Sequence, residues 1–444
     1  MEGNLVDGEK GAMWIIHFGG NAVRVIIPPR QKRKERKMLP LGWKALTAII
    51  FGVTILIAGP VLAADTVKIV HIDPFSGPFK TNGDRMYMAT QFAVDEINAS
   101  GGLLGKKVEL FGEDSQLKPD FAARKALKAV MQDGATVIMQ NISTAVAQAI
   151  MNVAEKHKVV QVSHATYSDS LTGKDFNRNF FRTCYTTGQF ARAFAEYFKV
   201  QPYRKFYLIN MDYVFGHAVA DDFIAVMKKV IPDVQIVGND FHPIATKDFA
   251  PYISKIIASG AEVVYTGNYG TDLDILMRQA AQLGMKARWA SNQLDDPVVL
   301  ANIREYAIGA IAVTMYSPMV ETRENKIFME KWHSKFKDTK DPWPAGAAFG
   351  QVYNGCMFFF EAVKKAKSID PEAVIKAWEG MEYEGVMGKM TMRACDHQTL
   401  QPLIISEIQA KSDFYPFPFL GKPTMIPAER IAIPPNETGN PRCK

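Results

Sequence analysis

Hydroxyl-bearing residues stand where a short apolar run ends and a helical pattern begins. Asn141, Ile142, Ser143 and Thr144 follow the run ATVIMQ and precede AVAQAIMNVAEKH, whose apolar residues recur at helical spacing. Ser and Thr are favoured helix N-caps, and that role alone would explain them. The same placement also turns hydroxyls and free backbone N–H groups toward an anion at the start of the helix. The pattern therefore indicates either a plain helix cap or an anion-binding site.

The motifs of an enzyme are missing from the sequence. It contains neither G-x-S-x-G nor H-E-x-x-H, and its eight histidines show no paired spacing of the metal-binding kind. The segment GGLLGKK departs from a phosphate-binding loop because Ser100 stands where the leading glycine belongs, and Lys107 stands where Ser or Thr must follow. We therefore expect no catalytic residue, no metal site and no cofactor.

The unit that opens the folded part of the chain covers residues 67–111. VKIVHI predicts a buried strand, DPFSGPF predicts a turn, and the residues after Asp84 show a helical pattern that ends at Gly101. A second strand follows. The right-handed crossover of such a unit places the SGP loop at the carboxyl end of the first strand, where open α/β sheets bind ligands. Ser76, in this loop, and Asn82, just after it, are therefore possible ligand-binding residues.

The same alternation of strand and helix patterns continues along the chain. One set runs over residues 67–183 and another over 186–311, which predicts an α/β protein with two doubly wound parallel sheets. Helical patterns then cover residues 325–336, 350–365 and 371–378. The Pro-rich tail, residues 415–444, lacks periodicity, and we expect it to be extended and wrapped on the surface.

Length and charge narrow the class of protein. A chain of 444 residues exceeds what one core usually supports, so two domains are expected. The net charge of +6 is concentrated at the amino terminus, where residues 1–63 carry nine Lys or Arg and four Asp or Glu. The rest of the chain is nearly neutral, which argues against a nucleic-acid partner.

The amino-terminal residues have the pattern of an export signal. Residues 30–63 combine a basic segment, an apolar run and a small-residue cleavage site, so we predict that residues 38–63 are a signal peptide cleaved after Ala63. An uncleaved membrane anchor is the alternative. Residues 1–37 are too long for a signal peptide, and we interpret them as a disordered extension or as the result of a wrong start, the true start being Met38.

The four cysteines fall into two pairs with different expectations. Cys184 and Cys356 stand in apolar, aromatic surroundings that are typical of buried free thiols. Cys395 and Cys443 lie toward the carboxyl terminus, where a disulfide would pin the tail. Export would favour that disulfide, because oxidising compartments preserve such bonds.

The opening unit, with its SGP loop and a helix ending INASGGLLGKKVEL, resembles the amino-terminal unit of the periplasmic binding proteins for branched-chain amino acids. These are the type I solute-binding subunits of ABC importers, and the resemblance extends over residues 67–411. It implies two lobes joined by a three-segment hinge, with crossings near residues 183–186, 313–317 and 388–392. The first lobe would comprise residues 64–184 and 315–388, and the second lobe residues 185–314 and 389–414.

The resemblance also assigns ligand-binding residues in the first lobe. Ser143 and Thr144 match the Ser-Thr pair that holds the ligand carboxylate in the family. Ala165 and Thr166 match positions whose backbone and hydroxyl contact the charged groups of the ligand. His164 stands where the family usually has a small residue, so it is either a neutral packed histidine or a donor that faces the ligand.

In the second lobe, Phe215 and Tyr269 match aromatic residues that close over the ligand, although either could simply be a core aromatic. Gln293 stands where amino-acid-binding members place a Glu that pairs with the ligand ammonium group. A buried ammonium without a carboxylate partner is costly. Asp295 or Asp296 would replace the Glu if the loop is offset; otherwise an aromatic or aliphatic carboxylate is the expected ligand.

The function expected from the resemblance is that of a periplasmic, non-enzymatic binding protein that captures a small carboxylate or amino acid and presents it to an ABC permease. No nucleic-acid partner and no stable membrane insertion after signal cleavage are expected. A ligand-sensing receptor of the same fold would need an anchor or a signalling domain. A secreted hydrolase would need a nucleophile that the sequence does not show.

Overall fold

The structure, a computed structural model, describes residues 66–443 and the backbone of three short strands near the amino terminus. These strands, β1 (Gly3–Val6), β2 (Met13–Phe18) and β3 (Asn21–Ile26), pair antiparallel in chain order. Residues 1–63 and 64–444 form separate compact units. The predicted signal peptide, residues 38–63, with its cleavage after Ala63, lies outside the described residues. It therefore stays a prediction, as does the start at Met38.

The first sheet has five parallel strands that alternate with helices. These elements are β4 (Val67–Asp73), α1 (Lys80–Ala99), β5 (Val108–Asp114), α2 (Pro119–Met131), β6 (Val137–Met139), α3 (Thr144–His157), β7 (Val160–Ser163) and β8 (Phe180–Arg182). The strand order is β5-β4-β6-β7-β8. Strand β4, second in this order, is buried on both faces: Val67 and Ile69 pack toward α1, whereas Val70 and Ile72 pack toward α2 and α3.

The second sheet repeats this architecture. Its first elements are α4 (Thr187–Phe198), β9 (Lys205–Met211), α5 (Val214–Val230), β10 (Gln235–His242), α6 (Ala250–Ser259), β11 (Val263–Thr266), α7 (Gly270–Gln282), β12 (Arg288–Ser291), α8 (Pro297–Ile303) and β13 (Ile311–Thr314). The strands are parallel in the order β10-β9-β11-β12-β13. The predicted α/β class with two doubly wound sheets is thereby confirmed. Within residues 66–443, no helix is long and apolar enough to cross a membrane.

After β13 the chain returns to the first sheet. The helices α9 (Arg323–Phe336), α10 (Val352–Ala366) and α11 (Pro371–Trp378) follow. Trp332 of α9 packs on Phe92 of α1 with ring centroids 5.0 Å apart, and Trp378 of α11 stacks on Phe181 of β8 at 4.5 Å. Aromatic side chains thus attach these late helices to the first lobe.

The third crossing lies later in the chain than we predicted. The strands β14 (Glu382–Gly385), β15 (Gly388–Met392) and β16 (Thr399–Leu400) form a small antiparallel sheet, and Arg182 of β8 bridges Gln398. Residues 388–392 therefore pair with their own hairpin neighbour and do not cross. The chain reaches the second sheet only at β17 (Leu403–Gln409), which runs antiparallel to β13.

The Pro-rich tail does more than wrap the surface. Its strands β18 (Phe419–Leu420) and β19 (Thr424–Ile426) pair with β17, and the short helix α12 (Ala428–Ile431) follows. Phe419, Leu420 and Ile431 are buried in the core. The expectation of an extended tail wrapped on the surface did not include this burial, because prolines interrupt the periodicity of apolar residues without preventing their burial.

A disulfide joins Cys395 to Cys443, and Cys184 and Cys356 are buried free thiols. The bonded cysteines are 48 residues apart in the sequence. Closing a loop of that length restricts the unfolded chain, and we expect loss of the bond to cost about 3–4 kcal/mol of unfolding free energy.

The measurement is urea unfolding of the protein with and without dithiothreitol, beside the double variant Cys395→Ser/Cys443→Ser. The double variant should unfold like the reduced parent and should not respond to dithiothreitol. An equal response of parent and variant would contradict the prediction, since the reductant would then act elsewhere.

Candidate ligand-binding site

A cleft lies where loops from the carboxyl ends of the two sheets meet. Its lining residues are Asn82, Met86, Ile142, Ser143, Thr144, Ala165, Thr166, Tyr167, Tyr213, Phe215, Tyr269, Gln293, Asp295, Asp296, Ala345, Ala347 and Ala348.

The structure brings together in this cleft all the residues that the resemblance assigned to ligand binding. These are Ser143, Thr144, Ala165, Thr166, Phe215, Tyr269 and Gln293. Of the four additional candidates, Asn82 and Asp295 also line the cleft, whereas Ser76 and His164 do not. That these residues contact a ligand stays a prediction.

The wall of the cleft on the first lobe contains the amino terminus of α3. Ser143 caps this helix, its Oγ accepting the N–H of Val146 at 3.4 Å, and its φ of 82° is unusual for a residue other than glycine. Thr144 is buried, and its Oγ1 has no hydrogen-bond partner in the described part of the chain. A free hydroxyl at the positive end of a helix is suited to bind an anion.

Thr166 is in the cleft, and its hydroxyl also forms hydrogen bonds within the first lobe. It donates to the carbonyl oxygen of Asn141 at 3.1 Å and lies 2.5 Å from Ser163 Oγ. The hydroxyl is thus used to join two loops of the first lobe. That Ala165 and Thr166 contact the charged groups of a ligand stays a prediction.

His164 is a packed histidine that does not line the cleft. Its Nδ1 lies 2.7 Å from Thr183 Oγ1, and its Nε2 lies 3.4 Å from Cys356 Sγ. Burial lowers the pKa of His164 to about 3, so the ring is neutral. Gly355 makes room for this large side chain, because a Cβ there would come within 2.2 Å of His164 Nδ1.

Ser76 also lies away from the cleft. It is exposed and forms a hydrogen bond with Asp114 at the end of β5. Its proximity to Asn82 in the sequence does not place it on the same side of the loop.

Aromatic rings form the wall on the second lobe. Phe215 stands in the first turn of α5 and Tyr269 directly before α7. The hydroxyl of Tyr213 donates to that of Tyr269 at 3.1 Å, and burial raises the pKa of Tyr213. Tyr269 also contacts Phe79 of the first lobe, with ring centroids 4.7 Å apart. Sequence reasoning missed Tyr213, although it stands two residues before Phe215.

Two polar side chains follow β12 on the same wall. The Nε2 of Gln293 is buried without a hydrogen-bond partner in the described part of the chain. Asp295 is 5% exposed, and its Oδ2 accepts the hydroxyl of Thr314 at 2.6 Å. Burial, together with the charge of Asp296, raises the pKa of Asp295 to about 7.

The backbone that faces Asp295 leaves room only for this carboxyl group. At Gly346, which has a φ of +58°, a Cβ would come within 2.4 Å of the Asp295 carboxyl. None of the described residues forms an ion pair with Asp295. The cleft thus contains a buried carboxyl group that lacks a cationic partner.

An ion pair that the sequence did not indicate joins the two lobes beside the cleft. Arg85 of α1 donates through Nη1 to Asp296 Oδ1 at 2.6 Å and through Nε to Asp341 Oδ2 at 3.2 Å. Asp296 also caps α8 through the N–H of Val298 at 2.8 Å. Arg85 therefore connects α1 of the first lobe to the loop that carries Asp295.

Comparisons with known proteins agree with this architecture. The family model described as periplasmic binding protein matches residues 66–413. A Leu/Ile/Val-binding protein homolog of Brucella melitensis is 29% identical over 364 residues, which cover 79% of this chain and 86% of that protein.

Two solved structures have the same fold. One is the leucine-, isoleucine-, valine-, threonine- and alanine-binding protein of Brucella ovis in a closed conformation. It is 26% identical with a TM-score of 0.73, and the match covers 84% of this chain and 97% of that protein. A solute-binding protein of an ABC transporter from Rhodopseudomonas palustris, solved with 3,4-dihydroxybenzoic acid, is 22% identical with a TM-score of 0.74. The match covers 82% of this chain and 98% of that protein. At that identity, the comparison shows that the fold is shared. The chain belongs to the periplasmic binding proteins, in the group that contains the Leu/Ile/Val-binding proteins.

Proposed function

We propose that this chain is the extracytoplasmic solute-binding protein of an ABC importer, which captures a small α-amino acid between its lobes and delivers it to the permease. The observation that carries the proposal is the pair of opposite groups in one cleft. Thr144 offers an unpartnered hydroxyl at the positive end of α3, and Asp295 offers a carboxyl group without a cation. An α-amino acid supplies both complementary charges.

The rest of the lining favours an aliphatic side chain on this ligand. Met86, Ile142 and the alanines 345, 347 and 348 add apolar surface without polar groups to satisfy. The names of the relatives in the two Brucella species, which refer to leucine, isoleucine and valine, support the same class.

An aromatic carboxylate is the second candidate ligand. Gln293 offers an unpartnered amide where the resemblance expects a Glu, and Tyr213, Phe215 and Tyr269 form an aromatic wall. An amide suits a neutral hydroxyl group better than an ammonium group. The Rhodopseudomonas palustris relative, solved with a dihydroxybenzoic acid, supports this alternative.

Hinge closure is the mechanism that we propose for delivery. Contacts such as Tyr269 with Phe79 and Arg85 with Asp296 join the two lobes and would break on opening. A ligand that touches both walls adds contacts to the closed state alone, and thereby shifts the population toward it. The closed protein would then dock on the permease in the periplasm.

The proposal is tested by purifying residues 64–444, refolding once to remove any carried-over ligand, and measuring thermal shifts. The panel contains leucine and other amino acids, short aliphatic acids and 3,4-dihydroxybenzoate. A ligand at 100 times its Kd should stabilise the protein by about 2.7 kcal/mol. Stabilisation by amino acids supports the first ligand class, and stabilisation by aromatic acids alone supports the second. No response to any carboxylate would contradict the proposal.

Replacement of Thr144 by valine should weaken carboxylate binding about tenfold or more. Valine keeps the shape of the side chain but removes the free hydroxyl, and a hydrogen bond to a charged group contributes about 1.5–3 kcal/mol. Isothermal titration calorimetry with the strongest ligand of the panel measures the change.

Thr187→Val is the matched control for this variant. Thr187 is also the first residue of a helix and is equally buried, but it lies outside the cleft. If the two variants lost ligand affinity equally, the loss would come from replacing a buried threonine at the start of a helix and not from a lost contact with the ligand.

A further inference from the structure

A buried aspartate lies behind the loop that connects β6 to α3. Asp73 is the last residue of β4 and is fully buried. Its Oδ1 accepts two backbone N–H groups of this loop, from Asn141 at 3.0 Å and from Ile142 at 2.8 Å. We call residues 140–144 the carboxylate loop, since Ser143 and Thr144 at its end line the cleft.

The second oxygen of Asp73 extends these contacts into a network. Its Oδ2 lies 2.5 Å from Nε2 of His71 and accepts the side-chain amide of Asn141 at 3.1 Å. The amide oxygen of Asn141 accepts the backbone N–H of His164 at 2.9 Å. One carboxylate thus joins β4, the carboxylate loop and the segment after β7. All the side chains of the network are fully buried, where such bonds are difficult to replace by water.

The side chains of the network lie outside the cleft. Asp73, His71 and Asn141 are absent from its lining, which on the carboxylate loop starts at Ile142. The backbone of Ser143, with its φ of 82°, is in a conformation that a residue other than glycine keeps only where its surroundings hold it. The two hydrogen bonds to Asp73 hold the residues directly before Ser143.

We propose that Asp73, supported by His71 and Asn141, is a positioning residue that sets the preference of this chain for carboxylates over their neutral analogues. The inference rests on the proposed function. Asp73 would act through the carboxylate loop, because the direction of the Thr144 hydroxyl and of the first N–H groups of α3 depends on how this loop is held. A loop without these bonds would still fold over the cleft, but its donors would no longer converge on the ligand.

The test compares the Kd of an acid with the Kd of its amide. Leucine and leucinamide form one pair, and 3,4-dihydroxybenzoate and its benzamide form the other, so that both candidate ligand classes are covered. In the parent, the acid should bind much more tightly than the amide. Asp73→Ala should reduce this acid-over-amide ratio about tenfold or more, mainly by weakening the binding of the acid.

Asp114→Ala is the matched control. Asp114 ends β5, stands in register with Asp73, and accepts two backbone N–H groups, from Phe75 and Gln116, both at 2.9 Å. Neither Asp73 nor Asp114 lines the cleft. Asp114→Ala should lower the melting temperature and leave the acid-over-amide ratio as in the parent. A purely structural role of Asp73 would give the same result in Asp73→Ala.

Asp73→Asn keeps an oxygen that can accept the two N–H groups, and it should recover part of the ratio. If Asp73→Ala does not fold, Asp73→Asn is the variant to measure. We then expect a smaller but measurable reduction of the acid-over-amide ratio. An unchanged ratio in the folded variant would overturn the inference. A parent that does not prefer the acid to the amide would instead contradict the proposed function, so the two failures are distinguishable.

Discussion

Asp295→Asn is expected to weaken the binding of amino acids about 100-fold or more. This is the largest loss that we expect from a single substitution in the cleft. The variant leaves the ligand ammonium buried without a charged partner, and breaking a buried ion pair costs about 3–5 kcal/mol. An acid without an amino group should bind the variant at least as well as the parent, because it gains nothing from the Asp295 charge. Calorimetry with leucine and with 3,4-dihydroxybenzoate measures both outcomes.

Asp272→Asn is the control for this variant. Asp272 is also a buried aspartate of the second lobe, and burial raises its pKa too, but it does not line the cleft. It should leave amino-acid binding unchanged. If Asp295→Asn had no larger effect than Asp272→Asn on leucine, Asp295 would not be the partner of the ammonium group.

The pKa of Asp295 gives this prediction a dependence on pH. Burial raises the pKa of Asp295 to about 7, so the folded protein without ligand holds a proton there below that pH. Asp296 is the charged group that adds to the shift, while the Thr314 hydroxyl and the Ala347 N–H oppose it. An ammonium ligand needs the ionised form, and its binding below pH 7 must therefore release the proton. Leucine affinity should rise up to tenfold per pH unit toward pH 7 and then level off.

The stability of the protein without ligand should change in the opposite direction. A carboxyl group with a raised folded pKa stabilises the fold most below its unfolded pKa, near 4, and this contribution is lost as the pH rises through about 7. Asp295→Asn should remove both slopes, that of leucine affinity and that of stability. A parent whose leucine affinity is flat between pH 5 and 7 would contradict the assignment.

Short-range patterns predicted the first wall of the cleft well. Ser143 and Thr144 were found because a strand, two hydroxyl residues and a helix follow one another directly, and this order fixes their place at a sheet edge. The aromatic residues Phe215 and Tyr269 also follow strands directly. Local order left a plain helix cap and core aromatics as alternatives, and the resemblance to a known family was needed to assign these residues to one cleft.

Contacts between distant residues were beyond such patterns. His164 was left open because its packing depends on Gly355, nearly two hundred residues away, which leaves the space for the ring. Asp73 looked like part of a turn, and only the folded loop shows that it accepts the N–H groups of Asn141 and Ile142. The crossing into the second sheet was misplaced because the pairing of β15 with β14 cannot be read from β15 alone.

Arg85→Met is expected to weaken ligand binding up to about 100-fold, mainly by speeding dissociation. Without the guanidinium, Asp296 and Asp341 lose their shared cationic partner in a half-buried site, but opening the cleft returns Asp296 to water. The cost therefore falls on the closed state, and the closed state is the one that holds the ligand. Stopped-flow measurement of ligand release should show the faster dissociation, while association changes little.

Arg278→Met is the control, because Arg278 pairs with Asp274 one turn away on the same helix and joins no lobes. It should leave the rate of ligand release unchanged. Asp296→Asn should reproduce part of the Arg85→Met effect, and the double variant should release ligand no faster than Arg85→Met alone, since both changes remove one interaction. Additive effects would show that Arg85 and Asp296 act separately, and the ion pair between the lobes would then not be what slows opening.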